Sequence, residues 1–88
     1  MKPKPLKLHV LAIDNENGIS CSVYSTKEGA TQALYDYVKE NWTGGILARL
    51  GPLPKVSAPQ DVDETIEAYF TADGQDDRAE IEAVTLED

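Results

Sequence analysis

Apolar residues recur at three- and four-residue steps between residues 25 and 42, which is the period of an amphipathic α-helix. The apolar stripe consists of Ala30, Ala33, Leu34, Tyr37, Val38 and Trp42. Ser25 and Glu28 have the spacing of a capping box, and Thr26 is an alternative N-cap. Gly44–Gly45 can supply the left-handed conformation that closes many helices. The pattern predicts one helix whose stripe covers an apolar surface elsewhere.

A β-hairpin is predicted before this helix. Residues 6–14 and 18–25 are rich in apolar and β-forming side chains, and Asn17-Gly18 between them is a strong hairpin signal. Whether the loop is Asn17-Gly18 or a longer one centred on Glu16-Asn17, even positions of the first strand share a face with odd positions of the second. That face is wholly apolar and consists of Leu8, Val10, Ala12, Ile19, Cys21 and Val23. We expect the helix to cover it.

The opposite face of the hairpin is half apolar. It carries Lys7, His9, Leu11, Ile13, Ser20, Ser22 and Tyr24. One interpretation is that its apolar residues are scattered on an ordinary surface, because most folded surfaces are more than half apolar by area. The other is that Leu11, Ile13 and Tyr24 form a contact patch for a second copy or a partner.

Residues 43–60 contain three prolines and three glycines, which predicts a long ordered loop. One helical turn could form at Ile46, Leu47 and Leu50. Two interpretations remain open for this segment. It is either a meandering loop that seals the edge of the core or a mobile loop that binds a partner.

A second helix is predicted from Asp61, which can cap it, to a stop at Gly74. Its apolar residues at helical spacing are Val62, Ile66, Tyr69 and Phe70. A last strand follows, in which the apolar residues do not alternate strictly. These residues are Ile81, Val84 and Leu86. A bulge near Ala83 would return all three to one side of the sheet.

The element order is strand, strand, helix, loop, helix, strand, which predicts an α+β fold in one domain over residues 1–88. We expect a three-stranded, mainly antiparallel sheet with two helices packed on one face and the first strand at its centre. The direction of the third strand is left open. Residues 1–5, with two prolines, are predicted to be a frayed lead-in. The predicted core consists of Leu8, Val10, Cys21, Val23, Ala33, Leu34, Tyr37, Val38, Ile66 and Phe70.

Charge is distributed unevenly along the chain. The net charge is -8, and residues 61–88 hold eleven Asp and Glu against Arg78 alone. Direct nucleic-acid binding is disfavoured, because contacts to phosphates need clustered basic residues. No apolar run approaches the roughly 20 residues that span a membrane. With one cysteine, Cys21, no internal disulfide forms, so we expect a cytoplasmic protein.

No pattern predicts an enzyme, a metal site or a cofactor. The only candidate nucleophile and base are Cys21 and His9, which the hairpin register places on opposite faces. Carboxylates on helix surfaces stay in water and are poorly suited to acid–base catalysis. The template of a calcium-binding EF-hand fails around Gly74, no phosphate-binding glycine motif occurs, and one His with one Cys cannot hold zinc.

Four segments together resemble a known family. These are the strand pair closed by Gly18, the helix in which STKEGA leads to ALYDYVKENW, the acidic lead into ETIEAYF, and the closing AEIEAVTL. They resemble a family of small acidic α+β proteins of bacteria, plasmids and phages for which no activity is established. The resemblance implies a compact domain encoded on mobile DNA, and it implies no catalytic residues.

Two hypotheses of function follow. The first is a non-enzymatic binding module whose acidic surface imitates nucleic acid and meets a basic groove on a protein partner, similar in kind to small anti-CRISPR proteins. The acidic residues are Asp61, Asp63, Glu64, Glu67, Asp73, Asp76, Asp77, Glu80 and Glu82. The alternative is a structural or oligomeric accessory protein that self-associates, as a homodimer for example, through Leu11, Ile13 and Tyr24.

Overall fold

The computed structural model describes residues 6–86, and within this range the chain forms three strands and three helices. In chain order these are β1 (Leu6–Asn15), β2 (Gly18–Tyr24), α1 (Lys27–Glu40), α2 (Gly44–Leu50), α3 (Pro59–Thr71) and β3 (Arg78–Leu86). The α+β class is confirmed. The predicted loop at 43–60 contains an additional helix, α2. The predicted lead-in at residues 1–5 lies outside the described residues.

The three strands form one antiparallel sheet in the order β2-β1-β3, which confirms the first strand as its centre. In the hairpin, Asn15 pairs with Gly18 across the two-residue loop, and Ala12 pairs with Cys21. The predicted register of the hairpin is therefore confirmed: even positions of β1 share a face with odd positions of β2. Gly18 has a φ of 113°, a conformation that favours glycine.

The third strand pairs with β1 without interruption, from Asp14 opposite Arg78 to Leu6 opposite Leu86. The predicted bulge near Ala83 is therefore wrong. Because successive side chains of a strand point to opposite faces, the apolar residues of β3 are divided between both sides of the sheet.

Helix α1 is bounded by side-chain caps. At its start the backbone N–H of Gly29 donates to Oγ1 of Thr26 at 3.0 Å, so the alternative cap is confirmed and the box of Ser25 with Glu28 is wrong. At its end Asn41 Nδ2 donates to the Tyr37 carbonyl at 2.8 Å. Gly44 does not close α1, because it is the first residue of α2.

Helix α1 contacts all three strands and covers the face of the sheet that carries Leu11 and Ile13, which we call the inner face. Leu11 is 3% exposed and Ile13 is 8% exposed, and both pack with Leu34. The partly buried apolar residues around this cluster are Tyr24, Ala33, Tyr37, Ile66, Phe70, Ala79 and Ile81. The predicted facing of the sheet is therefore wrong, because the helix covers the opposite face.

The register of β3 explains this facing. Glu82 pairs with Val10 and Glu80 pairs with Ala12, so both glutamates share the face that was predicted to be covered. Ile81 pairs with Leu11 on the other side. Covering the first face with a helix would bury two carboxylates without partners, which costs several kcal/mol each. Covering the inner face buries apolar side chains instead.

A second cluster lies at the end of α1. Val38, Trp42 and Tyr69 are buried together, and Ile46 and Leu53 pack against them. The indole Nε1 of Trp42 also donates to the carbonyl of Gly51 at 2.8 Å. These contacts agree with the interpretation that the segment after α1 seals the edge of the core, although part of the segment is helical.

The predicted core is therefore correct for its six helical members and wrong for its four strand members. Its helical members are buried or pack against the core; these are Ala33, Leu34, Tyr37, Val38, Ile66 and Phe70. Its strand members are not in the core. Leu8 and Val10 are half-buried, whereas Cys21 and Val23 are exposed.

Candidate interaction surface

The face of the sheet opposite α1, which we call the outer face, is apolar and largely exposed. Its apolar residues are Leu6, Leu8, Val10, Ala12, Ile19, Cys21, Val23, Val84 and Leu86. Ile19 is 71% exposed and Val23 is 59% exposed. Single exposed apolar residues are ordinary, but neighbouring strands place these side chains next to one another. Contiguous exposed patches of this kind mark interaction sites in proteins.

Two carboxylates belong to the same surface. Glu80 and Glu82 are exposed on β3, directly opposite Ala12 and Val10 of the central strand. The outer face thus combines apolar side chains on all three strands with the two carboxylates of Glu80 and Glu82 on β3. A complementary surface would be apolar with basic groups along one side.

One end of the outer face extends beyond β2. The last pair between β1 and β2 joins His9 to Tyr24, so residues 6–8 pair only with β3. Leu6 and Leu86 form the last described pair there, and both are more than half exposed. The exposed apolar surface continues along this two-stranded extension, because the apolar side chains there have few neighbours to pack against.

The predicted self-association residues lie elsewhere. Leu11 and Ile13 are buried in the core, and Tyr24 is half-buried against the same cluster. Their predicted position on an accessible face is therefore wrong. The opposite placement of His9 and Cys21 is confirmed, since His9 shares the inner side with Tyr24 and Cys21 shares the outer face with Ala12.

The predicted acidic residues are divided among three places. Asp61, Asp63, Glu64 and Glu67 lie on α3, Asp73, Asp76 and Asp77 lie between α3 and β3, and Glu80 and Glu82 lie on β3. Two of the nine have internal partners. The Asp61 carboxylate accepts from the backbone N–H groups of Ser57 at 3.1 Å and Ala58 at 3.0 Å, and these bonds lower its pKa.

Asp77 is the other carboxylate with internal partners. Its Oδ2 accepts from the hydroxyl of Tyr37 at 2.7 Å and from that of Tyr69 at 2.9 Å. Asn15 Nδ2 donates to the Tyr37 oxygen at 3.2 Å. These bonds tie the end of β1, both long helices and the start of β3 together, which the chain pattern did not indicate.

The same network determines the protonation of the tyrosines. Burial, followed by the hydrogen bond to Asp77, raises the pKa of Tyr69 far above its ordinary value, and the pKa of Tyr37 is raised for the same reasons. Both hydroxyls therefore remain donors at neutral pH. The cluster is suited to holding the fold together and unsuited to removing a proton from a substrate.

A groove of about 570 Å³ lies between the starts of α1 and α3. Its lining residues are Lys27, Glu28, Thr31, Gln32, Val56, Ser57, Ala58, Pro59, Val62 and Asp63. It is open to solvent and has no buried charged group at its base. Within residues 6–86, no three His, Cys, Asp or Glu side chains converge in a way that could hold a metal ion.

Comparisons with known proteins give no match: the chain matches no protein-family model, no curated protein sequence and no solved structure. In the part of the chain that the structure describes, no helix has the length and apolar content needed to cross a membrane.

Proposed function

We propose that this protein is a non-enzymatic binding module that acts through protein–protein contact, with the outer face of the sheet as its principal interface. The observation that carries the proposal is the exposed apolar surface around Val10 and Val23. Such a surface is costly to leave in water, at about 25 cal/mol for each Å². A partner that covers it gains this free energy.

The charge on the outer face specifies the kind of partner. Glu80 and Glu82 border the apolar residues, so the partner we propose has an apolar patch with Lys or Arg beside it. Exposed charges add little affinity individually, but they select partners and speed encounter. Binding should therefore weaken with salt while an apolar contribution remains.

We propose that α1 and α3 form one layer over the inner face of the sheet. The outer face is then left free. The packing of Ile66 and Phe70 against the cluster around Leu34 supports this arrangement. We also retain the cytoplasm as the compartment and the exclusion of direct nucleic-acid contact.

Imitation of nucleic acid is the second candidate. Asp63, Glu64 and Glu67 are exposed on α3, and an inhibitor of a nucleic-acid-binding complex, similar in kind to small anti-CRISPR proteins, could present them to a basic groove. This surface is distinct from the outer face, because α3 packs on α1 and not on the outer side of the sheet. The two candidates therefore predict different sensitive residues.

The test is affinity capture from an extract of the cells that carry the gene, with bound proteins quantified by mass spectrometry. Three forms are compared: the parent, Glu80→Lys with Glu82→Lys, and Asp63→Lys with Glu67→Lys. Both double variants change the net charge equally, so they differ only in the surface that is altered. Thermal melts followed by the fluorescence of Trp42, the single tryptophan, verify that each variant is folded.

We expect the parent to capture a protein with a basic surface. The variant with Glu80→Lys and Glu82→Lys on β3 should capture at least tenfold less of it. The α3 variant should retain it. Loss of the partner in the α3 variant alone would indicate that the partner binds the surface of α3, and it would favour imitation of nucleic acid. Equal loss in both variants would mean that only total charge matters, and it would contradict a role for the outer face.

A further inference from the structure

The two edges of the sheet differ in chemistry. The β3 edge carries the charged residues Arg78, Glu80 and Glu82. Charged side chains on edge strands prevent unwanted strand pairing. The β2 edge, Gly18–Tyr24, contains no charged residue and no proline, and its register with β1 is free of bulges. Within residues 6–86, no strand pairs with the outer edge of β2. It is an unprotected edge.

The hairpin register shows which backbone groups of β2 are available. Paired residues of antiparallel strands alternate between positions that exchange hydrogen bonds and positions that do not, and the pair that flanks a two-residue loop is of the bonded kind. Here that pair is Asn15 with Gly18. Counting along β2, the N–H and C=O groups of Ile19, Cys21 and Val23 point away from β1. Their side chains lie on the outer face.

The sequence of this edge is nearly symmetric about its centre, since it is Ile-Ser-Cys-Ser-Val over residues 19–23. In antiparallel pairing with a second copy about Cys21, Ile19 lies opposite Val23 of the partner subunit. Each of the three outward residues then faces another outward residue, which allows about six hydrogen bonds between the chains. Apolar side chains also meet apolar side chains on the outer face.

We infer that β2 pairs antiparallel with β2 of a second copy of this chain, so that two three-stranded sheets become one six-stranded sheet. The two outer faces then form one continuous apolar surface. This inference concerns the edge of the sheet and does not depend on the partner proposed for its outer face.

Electrostatics favours this edge over the other. Each chain has a net charge of -8, and the acidic strand β3 lies on the far side of β1 from the proposed contact. In the six-stranded sheet the two β3 strands are five spacings apart, or about 24 Å. This exceeds the screening length of about 8 Å at physiological salt. Pairing through β3 would instead bring glutamates of two copies within roughly 5 Å.

The test is backbone amide exchange measured by nuclear magnetic resonance at several protein concentrations, together with sedimentation. We expect the amides of Ile19, Cys21 and Val23 to exchange at least tenfold more slowly at concentrations where the protein sediments as a dimer. The amides of Ser20 and Ser22 are an internal control, because they bond to β1 in monomer and dimer alike. A dimer formed by face-to-face stacking would leave the three outward amides in water.

Two variants of equal charge complete the test. Cys21→Glu places like charges next to one another at the centre of the proposed contact and should give a monomer. Val84→Glu adds the same charge to the outer face near the opposite edge and should leave the dimer intact. Two results would overturn the inference: a parent chain that remains monomeric at every concentration, and a dimer in which the three amides exchange at their monomer rate.

Discussion

Both faces of the sheet carry apolar side chains, but only one of them is covered. The inner face, with Leu11 and Ile13, is covered by α1 and forms the core. The outer face, with Val10 and Val23, is open although it appeared the more apolar of the two in the hairpin alone. The third strand therefore determines which face is covered, since its glutamates can remain in water only on the outer side.

The largest expected difference between the faces is in stability. Leu11→Ala should cost about 2–5 kcal/mol, because it leaves a cavity between β1 and α1. Val23→Ala should change the free energy of unfolding by less than about 1 kcal/mol, because that side chain is mostly in water already. Denaturant unfolding followed by Trp42 fluorescence measures both, and equal costs would refute the assignment of the faces.

A smaller effect is expected where the inner layer is closed by hydrogen bonds. Tyr69→Phe removes one of the two hydroxyl donors to Asp77 and should cost roughly 1–3 kcal/mol at neutral pH. Because the pKa of the Tyr69 hydroxyl is raised in the folded protein, its contribution to stability depends on pH. It is fully present below the unfolded-state pKa of about 10 and is lost as pH rises through the folded-state value.

Melting the parent and Tyr69→Phe in parallel between about pH 8 and pH 12 distinguishes this network from a general alkaline effect. The parent should lose stability more steeply than the variant above about pH 10, so that their melting temperatures converge. Parallel curves across the range would show that the hydroxyl does not contribute through Asp77.

The smallest effect is expected at the start of α3, the helix that brings Ile66 and Phe70 to the inner layer. The lowered pKa of Asp61 means that its contribution is present above about pH 4 and is lost as pH falls through the folded-state value. Asp61→Ala should therefore lower the melting temperature at pH 7 but hardly at pH 2. Asp63→Ala is the control, because its side chain is exposed on the same helix. An effect of Asp61→Ala that is equal at both pH values would contradict a contribution from the hydrogen bonds that Asp61 accepts from Ser57 and Ala58.

Local patterns of the chain were sufficient for the elements and for part of their arrangement. The helical period between residues 25 and 42 predicted α1, and the signal Asn17-Gly18 predicted the hairpin and which of its residues share a face, although the loop itself is Glu16-Asn17. These features depend on neighbours in the chain, which a period or a turn signal reports directly. The helix α2 was predicted only as a single turn within a loop, because residues 43–60 contain three prolines and three glycines.

The candidate surface was predicted less well, because it depends on contacts between residues that are far apart in the chain. The hairpin part of the outer face was predicted residue by residue, but it was assigned to the core; the contribution of β3 to this face was not predicted. Sequence alone also treated Asp77 as a surface charge, although it accepts hydrogen bonds from Tyr37 and Tyr69, 40 and eight residues away. Contacts over such separations leave no periodic signal in the chain.

By itself, the sequence determined the α+β class, the pairing of the first two strands and the apolar stripe of α1. Only the tertiary structure decided which side of the sheet that stripe covers. The decision depends on the register between β1 and β3, strands separated by more than 60 residues, and a shift of one residue would exchange the two faces. With Glu80 and Glu82 directed to the side of Val10, burial of Leu11 and Ile13 is the arrangement that leaves both carboxylates hydrated.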